Sequence, residues 1–461
     1  MIRDAQPLSI DHILHELGNT DADRVRLGGI DIDGVLRGKY ISIEKFESAL
    51  RSGLGFCDVI FGWDSQDELY EGVDVTITGW HTGYPDLHAT IDPASYRRVP
   101  WDRGVPFFLL DFANEDGSPY AASPRQLLKS VVSRAAEAGF MARFSAEYEF
   151  FLFREDQHTV REKGYRNLTP LDRGMFGYSA VRASQSSEMV HDLLDKLNAF
   201  NIPVEGIHTE TGPGVFEAAL AHDETILAAD KAALFKTACK EILTPHGIMP
   251  TFMAKPIGDM PGCSGHTHQS LWRDGLPAFH DASAPDGLSK TFRHYLAGLV
   301  QLLPDLMALL CPTINSFKRT VPGMWAPTTA TWGFENRTTA LRVIRSASGK
   351  ATRVENRLVG ADVNPYLAFA ASLAAGLYGI ENELELPPHV EGNAYDKPDL
   401  DGTQLPRTLA EATDRLEASV IAKEILGETF VDHFVATRRW EILQYRKAVT
   451  DWELDRYFEI I

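Results

Sequence analysis

The stretch FSAEYEFFLF (144–153) constrains the fold of this chain more than any other. Read with the period of a strand, one face carries Phe144, Ala146, Tyr148, Phe150 and Leu152, and the other Ser145, Glu147, Glu149 and Phe151. The two glutamates then point the same way, roughly 6.5–7 Å apart along the strand. A strand this aromatic on both faces belongs in an interior, where two like charges repel and lose hydration. A bound cation resolves that conflict; a solvent-facing strand is the alternative.

Three further stretches repeat the theme. GIHTETGPGVFEAAL (206–220) has turn chemistry at Thr211, Gly212, Pro213 and Gly214. Folded there as a hairpin, it sets His208 opposite Glu217 and puts Glu210 and Glu217 on one face. In GCSGHTHQSLW (262–272), His266 and His268 project to one side of an extended segment. In KATRVENRLVG (350–360), Arg353, Glu355 and Arg357 share a strand face, for which an exposed ion-pair ladder is the plainer explanation. ENRTTALRV (335–343) adds Arg337 and Arg342, and KRTVPGMWAP (318–327) adds Arg319.

Glutamates 147, 149, 210, 217 and 355, together with His266, form a carboxylate-rich set without thiolates, which suits Mg²⁺ or Mn²⁺. Five carboxylates exceed what one such ion takes, so two or more ions are implied. Arginines 319, 337, 342, 353 and 357 suit phosphate or carboxylate ligands. Cations beside arginines are what phosphoryl transfer requires. The usual nucleotide motifs are absent: GVLRGKY (34–40) is one residue short of a P-loop and ends in Tyr40, and there is no GxGxxG or kinase motif set.

The formal net charge of −19 over 461 residues argues against a nucleic-acid partner. Cys57, Cys239, Cys263 and Cys311 are scattered and read as free thiols in a reducing, cytoplasmic setting. The N-terminus lacks a signal-peptide core. The most apolar run, PYLAFAASLAAGLYGI (365–380), is too short to span a membrane and reads as a buried helix. Helices are expected near 124–138, 186–200, 223–244, 287–310, 364–382 and 408–424, with strands between them: an α+β chain. The first is expected to start with Ser123 as N-cap and Pro124 at its first position. The polar stretch NEDGSPYAASPR (114–125) marks a boundary between domains at 1–115 and 116–461.

Eight segments, DIDGVLRGK, AEYEFFLF, HTETGPGVFE, GHTHQSL, INSFKRTVPG, ENRTTALR, RVENRL and NPYLAFAA, occur in an order that resembles the glutamine synthetase family across nearly the whole chain. The resemblance implies an N-terminal β-grasp domain, then a catalytic α+β domain. It also implies a homo-oligomer, commonly a dodecamer of two stacked hexameric rings with active sites between subunits. Carried over by motif, Glu149, Glu210 and Glu217 hold one ion, and Glu147, His266 and Glu355 hold the ion that bridges the ATP phosphates. His268, Ser270, Lys350 and Arg353 lie near ATP, while Arg337 and Arg342 neutralise the transferring phosphate. Glu149, Gly262, Arg319 and Arg357 surround glutamate. Asp64 matches an acid that a neighbouring subunit brings to the ammonium site, and Tyr178 a tyrosine of that site. Tyr395 stands where some members are adenylylated. The implied reaction activates the γ-carboxylate of glutamate as γ-glutamyl phosphate, which a nitrogen nucleophile then converts to an amide.

Two departures stand out. Family members that use ammonium carry, in the loop after the KR.VPG arginine, a glutamate that takes a proton; here the residue is Trp325. Tryptophan accepts no proton and offers an apolar face and a cation–π surface. Pro261 and Cys263 likewise replace residues of the family's Asn-Gly-Ser-Gly run. The expected function is therefore an ATP-dependent ligase joining glutamate to a monoamine, ethanolamine or polyamine. Glutamine synthesis from ammonium, a catalytically silent relative and a non-ligase enzyme on the same fold are the alternatives. For Trp325 itself the competing reading is a residue packed under its loop.

Overall fold

The structure is a computed structural model that describes residues 10–18, 22–397 and 404–461. The N-terminal part is a six-stranded sheet. Strand Arg24–Ile30 pairs antiparallel with Leu36–Ser42 and parallel with Val105–Ala113. The latter continues antiparallel to Asp86–Ile91 and then Leu54–Cys57, and takes the short strand Arg97–Val99 as a further partner. Helix Ile43–Ser52 is capped by the Ser42 hydroxyl, which accepts from Lys45 N at 3.2 Å, and buries Phe46, Ala49 and Leu50. These join Leu27, Phe108 and Phe112 in an apolar cluster separate from the main core.

The remainder is built on a ten-stranded sheet. Its strands run, side by side, Trp332–Phe334, Leu341–Ile344, Arg353–Asn356, Gly265–Arg273, Met141–Phe153, Val215–Leu220 and Val204–Thr209, with short strands added at Met141–Phe153 and Gly265–Arg273. Helices Thr225–Leu243, Lys290–Leu310 and Pro365–Glu381 form the helical body behind it. Pro365–Glu381 is buried almost all round, as its unbroken apolar run predicts. It meets Lys290–Leu310 backbone to backbone: a Cβ at Gly298 would lie 2.1 Å from the Ala375 carbonyl oxygen.

Several sequence expectations need adjusting. The helix expected at 408–424 is two, Leu409–Ala418 and Val420–Leu426, because the Ser419 hydroxyl accepts from Ala422 N and starts a new helix. The helix expected at 223–244 begins at Thr225 after a two-residue strand, and that expected at 287–310 begins at Lys290. Ser123 stands at an N-cap position, but its hydroxyl makes no capping bond. Helix Glu428–Lys447 was not foreseen, since charged and aromatic residues on every side blur its period; it nonetheless buries His433 and Arg438. The four cysteines are free thiols. Among the described residues no helix is long and apolar enough to cross a membrane.

Candidate active site

Met141–Phe153 is the middle strand of the site. His266 stands opposite its Glu147, and Glu217 opposite its Glu149. His208 faces Glu217 from the next strand out, Glu355 faces His268, and Arg342 faces Glu355. Directly opposed residues of an antiparallel pair share a face. The period-two alternation therefore becomes a two-dimensional array of acids, imidazoles and guanidiniums. A cavity of about 720 Å³ opens on this face and is also lined by Glu210, Arg319, Arg337 and Arg357.

The acids are unequally compensated. Glu355 receives Arg357 at 2.5 Å and Arg342 at 3.1 Å, with His266 Nδ1 at 3.2 Å. Burial alone would raise its pKa; His266 and Arg357 outweigh burial and hold it at about 2. Glu149 accepts from Ser264 N at 2.5 Å, yet burial still pushes its carboxyl above the ordinary range. Burial does the same to Glu217, aided by the charges of Glu147 and Glu149, although His208 Nε2 lies 2.9 Å away. That contact raises His208 to about 9. Glu210 accepts from its neighbour Thr211 through both N (2.9 Å) and Oγ1 (2.8 Å).

Among the described residues, three groups bring ligand atoms within 4.8 Å of one another: Glu147, His268 and Glu355; Glu147, Glu217 and His266; and His208, Glu210 and Glu217. Buried His266 Nε2 has no hydrogen-bond partner among the described residues. Oxygen and imidazole donors, an orphaned ring nitrogen and acids strained by their own proximity fit divalent cations. The groupings differ in detail from the expected pair of triads: Glu147 sits with both histidines, and Glu149 falls in none of the three.

The arginines expected at glutamate and phosphate line the cavity. Arg319 is buried and donates to the carbonyls of Leu358 (2.9 Å) and Arg357 (2.8 Å). Gly262 is required beside it: a Cβ there would lie 2.2 Å from the Ala254 carbonyl oxygen and 2.9 Å from Arg319 Cγ. Arg342 also grips Glu335 at 2.6 Å. A second cavity, about 380 Å³, is lined by His268, Ser270, Lys350 and Arg353, the four residues expected near ATP, and shares Glu147 with the first. There Arg353 Nε donates to His268 Nδ1 at 3.2 Å.

Tyr178 and Trp325 line the first cavity, 72% and 57% exposed, with left-handed backbones at φ 56° and 59°. Tyr178 stacks on His208, ring centroids 4.2 Å apart. Asp64 lines neither cavity of its own chain; its carboxylate accepts from Trp440 Nε1 at 3.0 Å and from the backbone N–H groups of Gln66 and Glu68. Motif reading gave no role to His208, whose hairpin register was the available signal. It also passed over Glu205, which lines the second cavity and lies in no motif.

The family model described as glutamine synthetase, catalytic domain, matches residues 121–457. A type-1 glutamine synthetase 2 of Dictyostelium discoideum is 50% identical over 456 residues, covering 98% of this chain and 86% of the relative. A glutamate–isopropylamine ligase of a Pseudomonas species is 39% identical over 442 residues, 95% of each. Among solved structures, a GmaS complex with ADP superposes with a TM-score of 0.83 at 28% identity, covering 98% of this chain and all of the other. With the cavity and its array of glutamates, histidines and arginines, these matches place the chain in the glutamine synthetase family, as an ATP-dependent carbon–nitrogen ligase.

Proposed function

We propose that this enzyme joins the γ-carboxylate of glutamate to an organic amine. Trp325 carries the reading. It is exposed, so it is not packed beneath its loop, and it lines the cavity that holds the acids. Where ammonium-using members keep a base, this chain offers an aromatic wall to a carbon chain. The glutamate–isopropylamine ligase supports the same reading by its name.

In this proposal Arg319, Arg357 and Gly262, with Glu149, receive glutamate. His268, Ser270, Lys350 and Arg353 receive ATP in the second cavity. Glu149, Glu210 and Glu217 hold one Mg²⁺ or Mn²⁺, and Glu147, His266 and Glu355 another. Such ions, when bound, neutralise phosphate charge. Arg337 and Arg342 spread the charge of the phosphoryl group as the γ-carboxylate oxygen takes it from ATP, leaving ADP. The amine nitrogen then attacks the acyl carbon, phosphate departs, and the nitrogen's proton passes to a carboxylate, that of Asp64 of a neighbouring subunit or of Glu210. Tyr178 and Trp325 flank the amine. The same reading takes residues 1–115 as a β-grasp domain and 116–461 as the catalytic domain of a cytoplasmic homo-oligomer, a dodecamer of stacked rings.

Glutamine synthesis from ammonium is the second reading, favoured by the 50% identity to a protein named as a glutamine synthetase. Phosphate release from ATP with glutamate plus ammonium, methylamine, isopropylamine, ethanolamine, putrescine or spermidine separates the two. The proposal expects an organic amine to exceed ammonium in kcat/KM, and Trp325→Glu to shift preference toward ammonium. Ammonium as the best substrate of the parent enzyme would reverse it.

A further inference from the structure

The segment that carries Trp325 is held at both ends. At one end Arg319 is fixed by its two bonds to backbone carbonyls. At the other, Ala326 is buried, and its carbonyl accepts a hydrogen bond from the Tyr395 hydroxyl at 3.0 Å. Between these points the loop has few ties: Val321 N to Arg319 O and Met324 N to Val321 O are its backbone bonds among the described residues. Trp325 adopts a left-handed backbone, which a bulky residue resists, so the conformation depends on what surrounds it.

Tyr395 sits in a short turn of 3₁₀ helix, Ala394–Asp396, which is itself anchored. Asn393 caps it through its side chain, accepting from Tyr395 N at 3.1 Å. Ala394 N donates to Thr338 Oγ1 at 2.9 Å, and Asn336 Nδ2 donates to the carbonyls of Val390 and Gly392. Asn336 and Thr338 flank Arg337, which lines the cavity. The turn thus bridges the loop of a phosphate-facing arginine and the aromatic flap.

We infer that Tyr395 is a positioning residue for amine selection: its hydroxyl latches the Ala326 carbonyl and holds Trp325 against the cavity. This rests on the reading of Trp325 as an amine wall. The latch is one neutral hydrogen bond, so its loss is worth about fivefold.

The test is a double-mutant cycle on the full-length enzyme with methylamine and isopropylamine, using Tyr395→Phe, Trp325→Ala and the pair. Tyr395→Phe is expected to raise the KM for isopropylamine about fivefold and leave the KM values for ATP and glutamate unchanged. In the Trp325→Ala background, Tyr395→Phe is expected to add nothing, because the ring it positions is gone. Three results overturn the latch: an unchanged amine KM in Tyr395→Phe, an equal rise in all three KM values, or full additivity in the pair. If instead Trp325→Ala alone leaves both amine KM values unchanged, the amine-wall reading fails and the latch falls with it.

Discussion

Two of the buried charge clusters among the described residues are built on opposite terms. The first joins the N-terminal sheet to the helical body. Arg125 donates to Asp92 and Asp111 at 2.6 Å and to both oxygens of Asp230 at 2.9 Å. Lys129 adds a second cation to Asp92 and Asp111, and the Tyr366 hydroxyl donates to Asp230 at 2.6 Å. Every acid there has its partner within the chain. The second is the glutamate array, where Glu355 is paired but Glu149 and Glu217 are pushed toward their protonated forms. A cluster that serves stability closes on itself; one that serves ligands leaves charge for them to complete.

Substitutions should separate the two. The largest effect is expected from Glu217→Gln: a fall of about a thousandfold in kcat, measured as phosphate release, with the melting temperature of the metal-free protein unchanged or raised. A comparable loss of stability would place Glu217 with the self-closing kind. Arg125→Met should do the converse. Stranding Asp230, and leaving Asp92 and Asp111 to Lys129 alone, is expected to cost about 3–5 kcal/mol in denaturant unfolding, with kcat per folded molecule kept.

Next in size is cation linkage. At roughly a hundred times Kd, each bound Mg²⁺ or Mn²⁺ should stabilise the parent by about 2.7 kcal/mol. The increment of the ion held by Glu149, Glu210 and Glu217 should vanish in Glu149→Gln/Glu217→Gln, leaving that of the other ion, and both should persist in Arg125→Met. An undiminished increment in the double variant would move that ion elsewhere.

The smallest effect is in pH dependence, where the clusters should differ in sign. Burial lifts the folded Glu149 and Glu217 carboxyls above their ordinary 4.5. Their contribution in metal-free protein is full below 4.5 and is lost as pH rises through the folded values. Burial acts on Asp92 too, but Arg125 and Lys129 outweigh it and hold its carboxyl below 3.8. Its contribution is present above 3.8 and lost as pH falls through the folded value. Urea midpoints against pH should therefore lose their alkaline slope in Glu149→Gln/Glu217→Gln and their acid slope in Asp92→Asn.

The glutamate array was legible in the sequence because strands alternate. Glu147 with Glu149 and His208 opposite Glu217 follow from period two and one turn, and the structure has that register. The Arg125 cluster was not legible, because Asp92 caps a short 3₁₀ turn, Asp111 lies on a strand and Asp230 on a distant helix, and no local period links them to Arg125. Helix Glu428–Lys447 escaped for a related reason: its buried Arg438 is satisfied by distant Asp33, a partner no sequence window contains. Trp325 was visible as a departure from a motif, but its exposure and left-handed backbone needed coordinates.

Glu147 lines both cavities. A side chain shared by two compartments is a place where they can couple. Any change that filling the smaller cavity makes in the free energy of filling the larger returns, by reciprocity, with the same factor in the reverse direction. The affinity for one ligand measured with and without the other reads that factor directly.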